Sequence, residues 1–138
     1  MHTFSLSVNY AFRTLGHLEG PQGRWVRVDV LSERADAPGP FLGKVLQILQ
    51  RAGLVESLRG RNGGFRLARE AGTVTLGSVV DALDGRGWRT SCILGMDACS
   101  GRTDCAAWTC CREMREKMVS ELGRLTVADL GRIHGGAG

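Results

Sequence analysis

Leu54-Val55-Glu56-Ser57-Leu58-Arg59-Gly60-Arg61-Asn62-Gly63-Gly64-Phe65-Arg66-Leu67-Ala68 sets the architecture of this 138-residue chain. Two short runs of strand composition, residues 54–58 and 65–68, flank a tip made of glycine, asparagine and arginine. Glycine and asparagine tolerate positive backbone angles, so the two runs are expected to close as a β-hairpin with a basic tip. A glycine-rich hairpin carrying arginines suits the phosphate backbone of DNA or its narrow minor groove, where negative potential is enhanced.

Three helices are expected before the hairpin. Leu6, Tyr10, Ala11, Thr14, Leu15 and Leu18 recur at helical spacing, and Gly20-Pro21-Gln22-Gly23 closes that helix. A short helix follows over residues 28–35, then the stiff turn Asp36-Ala37-Pro38-Gly39-Pro40. Pro40 opens the third helix, where its missing amide donor costs nothing. Phe41, Leu42, Val45, Leu46, Ile48, Leu49 and Ala52 form its apolar face, and Gly53 is placed for a left-handed C-terminal cap. Lys44, Gln47, Gln50 and Arg51 remain on the polar side.

Beyond the hairpin, Thr75 caps a helix over residues 76–84, with Leu76, Val79, Val80 and Leu83 inward. The helical pattern then breaks into a loop, residues 88–104, that carries Cys92, Cys99 and Cys105 at its end. A long helix is expected over residues 105–124. Its stripe of Cys111, Met114, Met118, Leu122 and Leu125 is near-heptad, and a domain this small cannot bury it, so it calls for pairing between two chains.

The order helix, short helix, turn, helix, basic hairpin is that of a winged helix-turn-helix. The fold class expected is mostly α with a small β-hairpin, plus a long C-terminal dimerisation helix. Residues 1–85 form the DNA-binding domain, 86–104 the cysteine loop, and 105–138 the dimerisation helix and tail. Lys44 and Gln47 point towards a major groove, where base edges are distinguishable and glutamine pairs well with adenine. Arg59, Arg61 and Asn62 belong to the wing. Gln50 and Arg51 read equally well as a solvated face.

The bulk numbers fit this reading and narrow the alternatives. Residues before Cys92 carry 12 basic and 8 acidic side chains, against 6 and 6 from Cys92 onward. The excess positive charge therefore lies in the winged-helix part, which favours a nucleic-acid partner without proving one. No apolar run is long enough to span a bilayer and the start lacks a signal pattern, so a cytoplasmic protein without membrane contact is expected. Nothing in the sequence forms a nucleotide loop or a catalytic dyad, so no enzyme is expected.

Five cysteines without a signal peptide argue against a disulfide framework. Six residues separate Cys92 from Cys99, and five separate Cys99 from Cys105. Structural zinc favours tighter pairs, whereas iron–sulfur clusters want thiolates around a compact inorganic core. Spacing alone leaves a cluster and inert or redox-active thiols both open.

These motifs together resemble the Rrf2 (Rrf-two) family of bacterial winged-helix transcription regulators, in its IscR/NsrR type of iron–sulfur sensor. The marks are Tyr10-Ala11-Phe12-Arg13, Phe41-Leu42, Ala52-Gly53-Leu54-Val55, the hairpin tip with Phe65-Arg66-Leu67-Ala68, Thr75-Leu76, the three cysteines, and Leu125-Thr126-Val127-Ala128-Asp129-Leu130. The resemblance implies a homodimer on a palindromic double-stranded operator, with Cys92, Cys99 and Cys105 binding a 2Fe–2S or 4Fe–4S cluster. It implies a regulator that senses redox state, nitric oxide or iron–sulfur status.

The chain departs from family patterns at Gly43, where a base-reading acidic residue stands in one member, and at Trp108, Asn9 and Arg13, where others carry a fourth ligand. Cys110 is the first candidate for that ligand. Asn9, Asp104, a partner-chain group and an exchangeable small molecule are the others. His17 reads as a plain histidine. Two alternatives remain: a cluster-free regulator answering a small effector or protein partner, and a redox or electron-transfer protein.

Overall fold

The computed structural model describes residues 4–92 and 105–135. Among the described residues, six helices and one hairpin run in the order α1 (Leu6–Leu15), α2 (Val28–Ala35), α3 (Gly39–Arg51), β1 (Val55–Leu58), β2 (Gly64–Leu67), α4 (Leu76–Asp84), α5 (Trp108–Arg124) and α6 (Val127–Gly135). Short 3-10 turns stand at Ala71–Thr73 and Arg86–Arg89. The winged helix-turn-helix and the long helix after it are thus present as expected.

Local chemistry sets the helix ends. Ser5 and Thr75 cap α1 and α4, their hydroxyl oxygens accepting from the amides of Val8 and Ser78. Pro40 lies in the first turn of α3, one residue after its start at Gly39. At the other end Gly53 takes φ 79°. Its amide donates to Gln50 O at 3.0 Å and that of Leu54 to Leu49 O at 3.0 Å. This paired closure turns the chain out of α3 straight into the hairpin.

Leu42, Val45, Leu46 and Leu49 bury one face of α3 against α1, α2 and α4. Leu31, Leu67 and Val79 complete a core from which solvent is excluded. The hairpin is antiparallel, with Val55 opposite Leu67 and Leu58 opposite Gly64. Val26 adds a third short edge, exchanging two backbone hydrogen bonds of 2.8 Å with Phe65.

Two features differ from the sequence expectation. The long helix starts at Trp108 rather than 105, because the Cys105 carbonyl accepts from the Trp108 amide in a turn that precedes it. The tail forms a helix of its own, α6, held at its start by the Asp129 carboxylate accepting from the Thr126 amide at 2.7 Å. A clip of backbone bonds, Leu76 N–H to Leu125 O and Val127 N–H to Val74 O, both at 2.9 Å, ties the α5–α6 junction to the start of α4.

α6 then docks on α1. Any Cβ at Gly16 would overlap the His134 ring and the Leu130 backbone, so glycine permits the approach. The His17 and His134 rings stack 4.7 Å apart. Burial, then the neighbouring His134 and Arg34, hold the His17 imidazole below its ordinary pKa.

A histidine with a lowered folded pKa stabilises the fold fully above its unfolded value and loses that contribution as pH falls through the folded one. Thermal melts are therefore expected to weaken as pH drops from about 7 to 5.5. Part of that drop should disappear in His17→Gln; an unchanged pH profile in the variant would show that the stacked pair carries none of it.

Candidate nucleic-acid interface and cysteine segment

Burial of one face of α3 leaves the other in solvent. Lys44 and Gln47 are exposed there, beside Ile48, itself 37% exposed. Gln50 is engaged elsewhere: its side-chain oxygen accepts from Ser57 Oγ at 3.2 Å, tying the end of α3 to β1. Arg51 is exposed on the last turn.

The hairpin carries Arg59, Arg61 and Asn62, all exposed. Arg27 Nη1 donates to the Arg61 carbonyl at 3.2 Å and pins the tip beside the start of α2, across a shallow groove lined by Val28, Asp29, Gly60 and Gly63. Gly64 has φ 146°, and a Cβ there would overlap the Val26 carbonyl.

The arginines divide by occupation. Arg66 binds Glu56 at 2.6 Å and covers the Trp25 ring at 3.9 Å. Arg13 and Arg27 meet Asp36 and Asp29. Lys44, Arg59 and Arg61 form no ion pair among the described residues, so their charges stay available to an anionic partner.

Four of the five cysteines can be placed: Cys92 and Cys111 are half-buried, Cys105 and Cys110 exposed. Cys99, like Asp104, lies outside the described residues. Cys110 Sγ sits 3.7 Å from Met114 Sδ on the next turn of α5. No group of three His, Cys, Asp or Glu that could hold a metal ion occurs among the described residues. The donor set itself fits an iron–sulfur group, since Cys92 and Cys105 bracket the segment that contains Cys99 and all are soft sulfur donors.

Sequence reasoning missed the anchor of this segment. Asp81 in α4 accepts from Trp88 Nε1 at 2.8 Å and from Arg89 Nε and Nη2 at 3.1 and 2.9 Å. Burial works to raise the Asp81 pKa, yet the hydrogen bonds from Arg89 and Trp88 outweigh it and hold the carboxyl below its ordinary value. The only sequence trace of this clamp is a tryptophan and an arginine following Gly85-Arg86-Gly87, which periodicity cannot pair with Asp81. The role of Arg27 as a strut under the hairpin tip was equally unmarked.

Residues 4–132 match the family model described as "Rrf2: Iron-dependent Transcriptional regulator". The chain belongs to the Rrf2 family. It is 34% identical over 100 residues to the HTH-type transcriptional regulator IscR of Vibrio vulnificus (strain YJ016), covering 72% of this chain and 59% of that protein. It is 33% identical over 100 residues to the IscR of Yersinia pseudotuberculosis serotype O:1b (strain IP 31758), covering 72% and 60%. The chain thus spans about six tenths of the length these relatives have.

Among solved structures, T. potens IscR superposes with TM-score 0.64 at 26% identity, over 95% of this chain and 84% of that one. CymR, the global cysteine regulator of B. subtilis, superposes with TM-score 0.78 at 20% identity, over 96% and 98%, a likeness of fold. The matched family model and these relatives are described as transcriptional regulators. No helix among this chain's described residues is long and apolar enough to cross a membrane.

Gly64→Val is expected to lower stability by about 1–3 kcal/mol from backbone strain alone, before the overlap with Val26 is counted. The midpoint of chemical denaturation measures it; an unchanged midpoint would mean that the wing tolerates a different path past Val26.

Proposed function

We propose that this Rrf2-family regulator binds a palindromic operator as a homodimer and adjusts its grip through an iron–sulfur group held by Cys92, Cys99 and Cys105. The observation that carries the reading is the position of the thiols. Cys92 and Cys105 flank the junction between the winged domain, residues 1–85, and the long helix α5, with Cys99 between them in sequence, so a group they share acts on both. The relatives' printed name, IscR, and the family description "Iron-dependent" point the same way.

In this reading Lys44 and Gln47 enter the major groove and Arg59, Arg61 and Asn62 track the backbone or minor groove. Phosphate contacts position the protein and base contacts specify the sequence. Pairing of two chains through α5 is supported by that helix itself. It has no buried residue in the single chain, and Met114 is 56% exposed. Two-fold protein symmetry then matches a two-fold DNA site.

Cys92, Cys99 and Cys105 supply three thiolates for the group, with Cys110 the nearest further thiol in sequence. When bound, such a group supplies a centre responsive to oxygen, nitric oxide or electrons. The chain's own part is to hold the ends of the cysteine segment at fixed points on α4 and α5 and to pass a change in their spacing to α3. Residues 86–104 then serve as the sensing segment, and residues 105–138 as dimer helix and docked tail.

Gln47→Ala is expected to cost about 1–3 kcal/mol at the cognate operator and to relax base preference at one position. Arg59→Ala should weaken binding to all sequences alike and reduce the slope of log affinity against log salt by about 1. Fluorescence anisotropy across a salt series separates the two; equal losses on cognate and random DNA for Gln47→Ala would remove it from the major groove.

Protein purified without oxygen is expected to be brown, to contain iron and sulfide, and to lose both in Cys99→Ala together with the cluster-dependent part of operator affinity. Colourless, iron-free wild-type protein after reconstitution, with full operator binding, would leave a regulator that works without a cluster.

A further inference from the structure

The 3-10 turn Arg86–Arg89 buries none of its residues, so apolar packing alone does not fix its position. Instead the Asp81 carboxylate gathers three donors from it, a bidentate pair from Arg89 and the indole N–H of Trp88. The Asp81 and Arg89 side chains are 23% and 28% exposed, and a bidentate charge-assisted pair fixes geometry as well as adding energy. Arg89 also covers the Trp88 ring at 4.7 Å, and Phe4 meets the same ring edge-on at 5.7 Å.

The turn sits directly before Cys92. Ser91 N–H closes onto Gly87 O at 2.8 Å, and Arg115 of α5 reaches the Ser91 carbonyl at 3.4 Å. The Arg89 guanidinium lies beside Gly77 of α4. On its other sides α4 packs against α1 and α3.

We infer that Asp81 is a positioning residue for Cys92, and that through α4 it couples the place of that thiol to the groove-reading helix α3. Three donors converging on one carboxylate hold the entry to the cysteine segment in register with α4. Movement of Cys92 then has a stiff path to the winged domain, instead of being absorbed by a loose loop. The coupling to α3 rests on the iron–sulfur reading above; the placement of Cys92 does not.

The test compares wild type with Asp81→Asn, which keeps the size of the side chain but loses its charge, and with Trp88→Phe, which loses one donor and no charge. In the cluster-free full chain, hydrogen exchange at the Thr90 and Ser91 amides and alkylation of Cys92 by iodoacetamide report placement directly. Both are expected to speed up by about 10-fold in Asp81→Asn, since losing charge-assisted hydrogen bonds lowers the cost of local opening. Trp88→Phe should give a smaller rise, and secondary structure by circular dichroism should not change.

In anaerobically loaded protein, Asp81→Asn should shorten cluster lifetime under chelator by about 10-fold, alter the visible circular dichroism of the cluster, and bring the ratio of loaded to unloaded operator affinity towards one. Unchanged exchange and alkylation in both variants would overturn the placement of Cys92 by Asp81. Faster exchange with an unaltered affinity ratio would overturn the coupling. A wild-type protein that takes up no iron would fail the cluster reading while the exchange and alkylation measurements still decide the placement.

Discussion

The residues proposed to face DNA are all oriented by the burial of one side of α3. Leu42, Val45, Leu46 and Leu49 are sealed against α1, α2 and α4. Each such side chain contributes on the order of 2 kcal/mol when removed from water. That burial leaves no rotational freedom to the opposite face, so Lys44 and Gln47 stand outward as a consequence of packing rather than of any contact of their own. The left-handed Gly53 passes the same orientation to the hairpin, since the chain leaves α3 through a fixed closure and enters β1 two residues later.

The same economy of contacts governs charge. Several basic side chains are occupied within the fold, and their partners explain them: Arg66 under Trp25 and against Glu56, Arg27 beneath the hairpin tip, Arg89 in the Asp81 clamp. Lys44, Arg59 and Arg61 have no such structural employment among the described residues. Those three lie on α3 and the hairpin tip; exposed Arg24, Arg34, Arg69, Arg86 and Lys117 likewise form no ion pair among the described residues.

How much of this could be read from residues alone follows from the range of the interactions. Helices α1 to α4 and the hairpin were legible because periodicity, caps and glycine turns are local: Thr75 with Ser78, Gly53 after Arg51, Asn62-Gly63-Gly64 at the tip. The start of α5 was misplaced by three residues because the 105–107 turn has no strong cap signal. Helix α6 was missed because the sequence gives little hint that His134 would stack on His17 across the molecule. The Asp81 clamp, the Arg27 strut and the α5–α6 clip escape a linear reading for the same reason, since each joins elements that sequence distance does not bring together. Of the site, the solvent-facing placement of Lys44, Gln47, Arg59, Arg61 and Asn62 was legible, whereas Cys99 and Asp104 lie outside the described residues.

The clip that joins Leu76 to Leu125 and Val74 to Val127 has a mechanical meaning. It fastens α5 to the winged domain by backbone bonds at one end, while mid-helix Arg115 reaches the Ser91 carbonyl through its side chain. A helix of 17 residues is about 25 Å long. Hinged at the clip, it works as a lever: a tilt of about 10° carries the far end through about 4 Å. In the proposed dimer, a displacement beside the cysteines would tilt α5 about this junction, with Thr75 and Thr126 as the fulcrum.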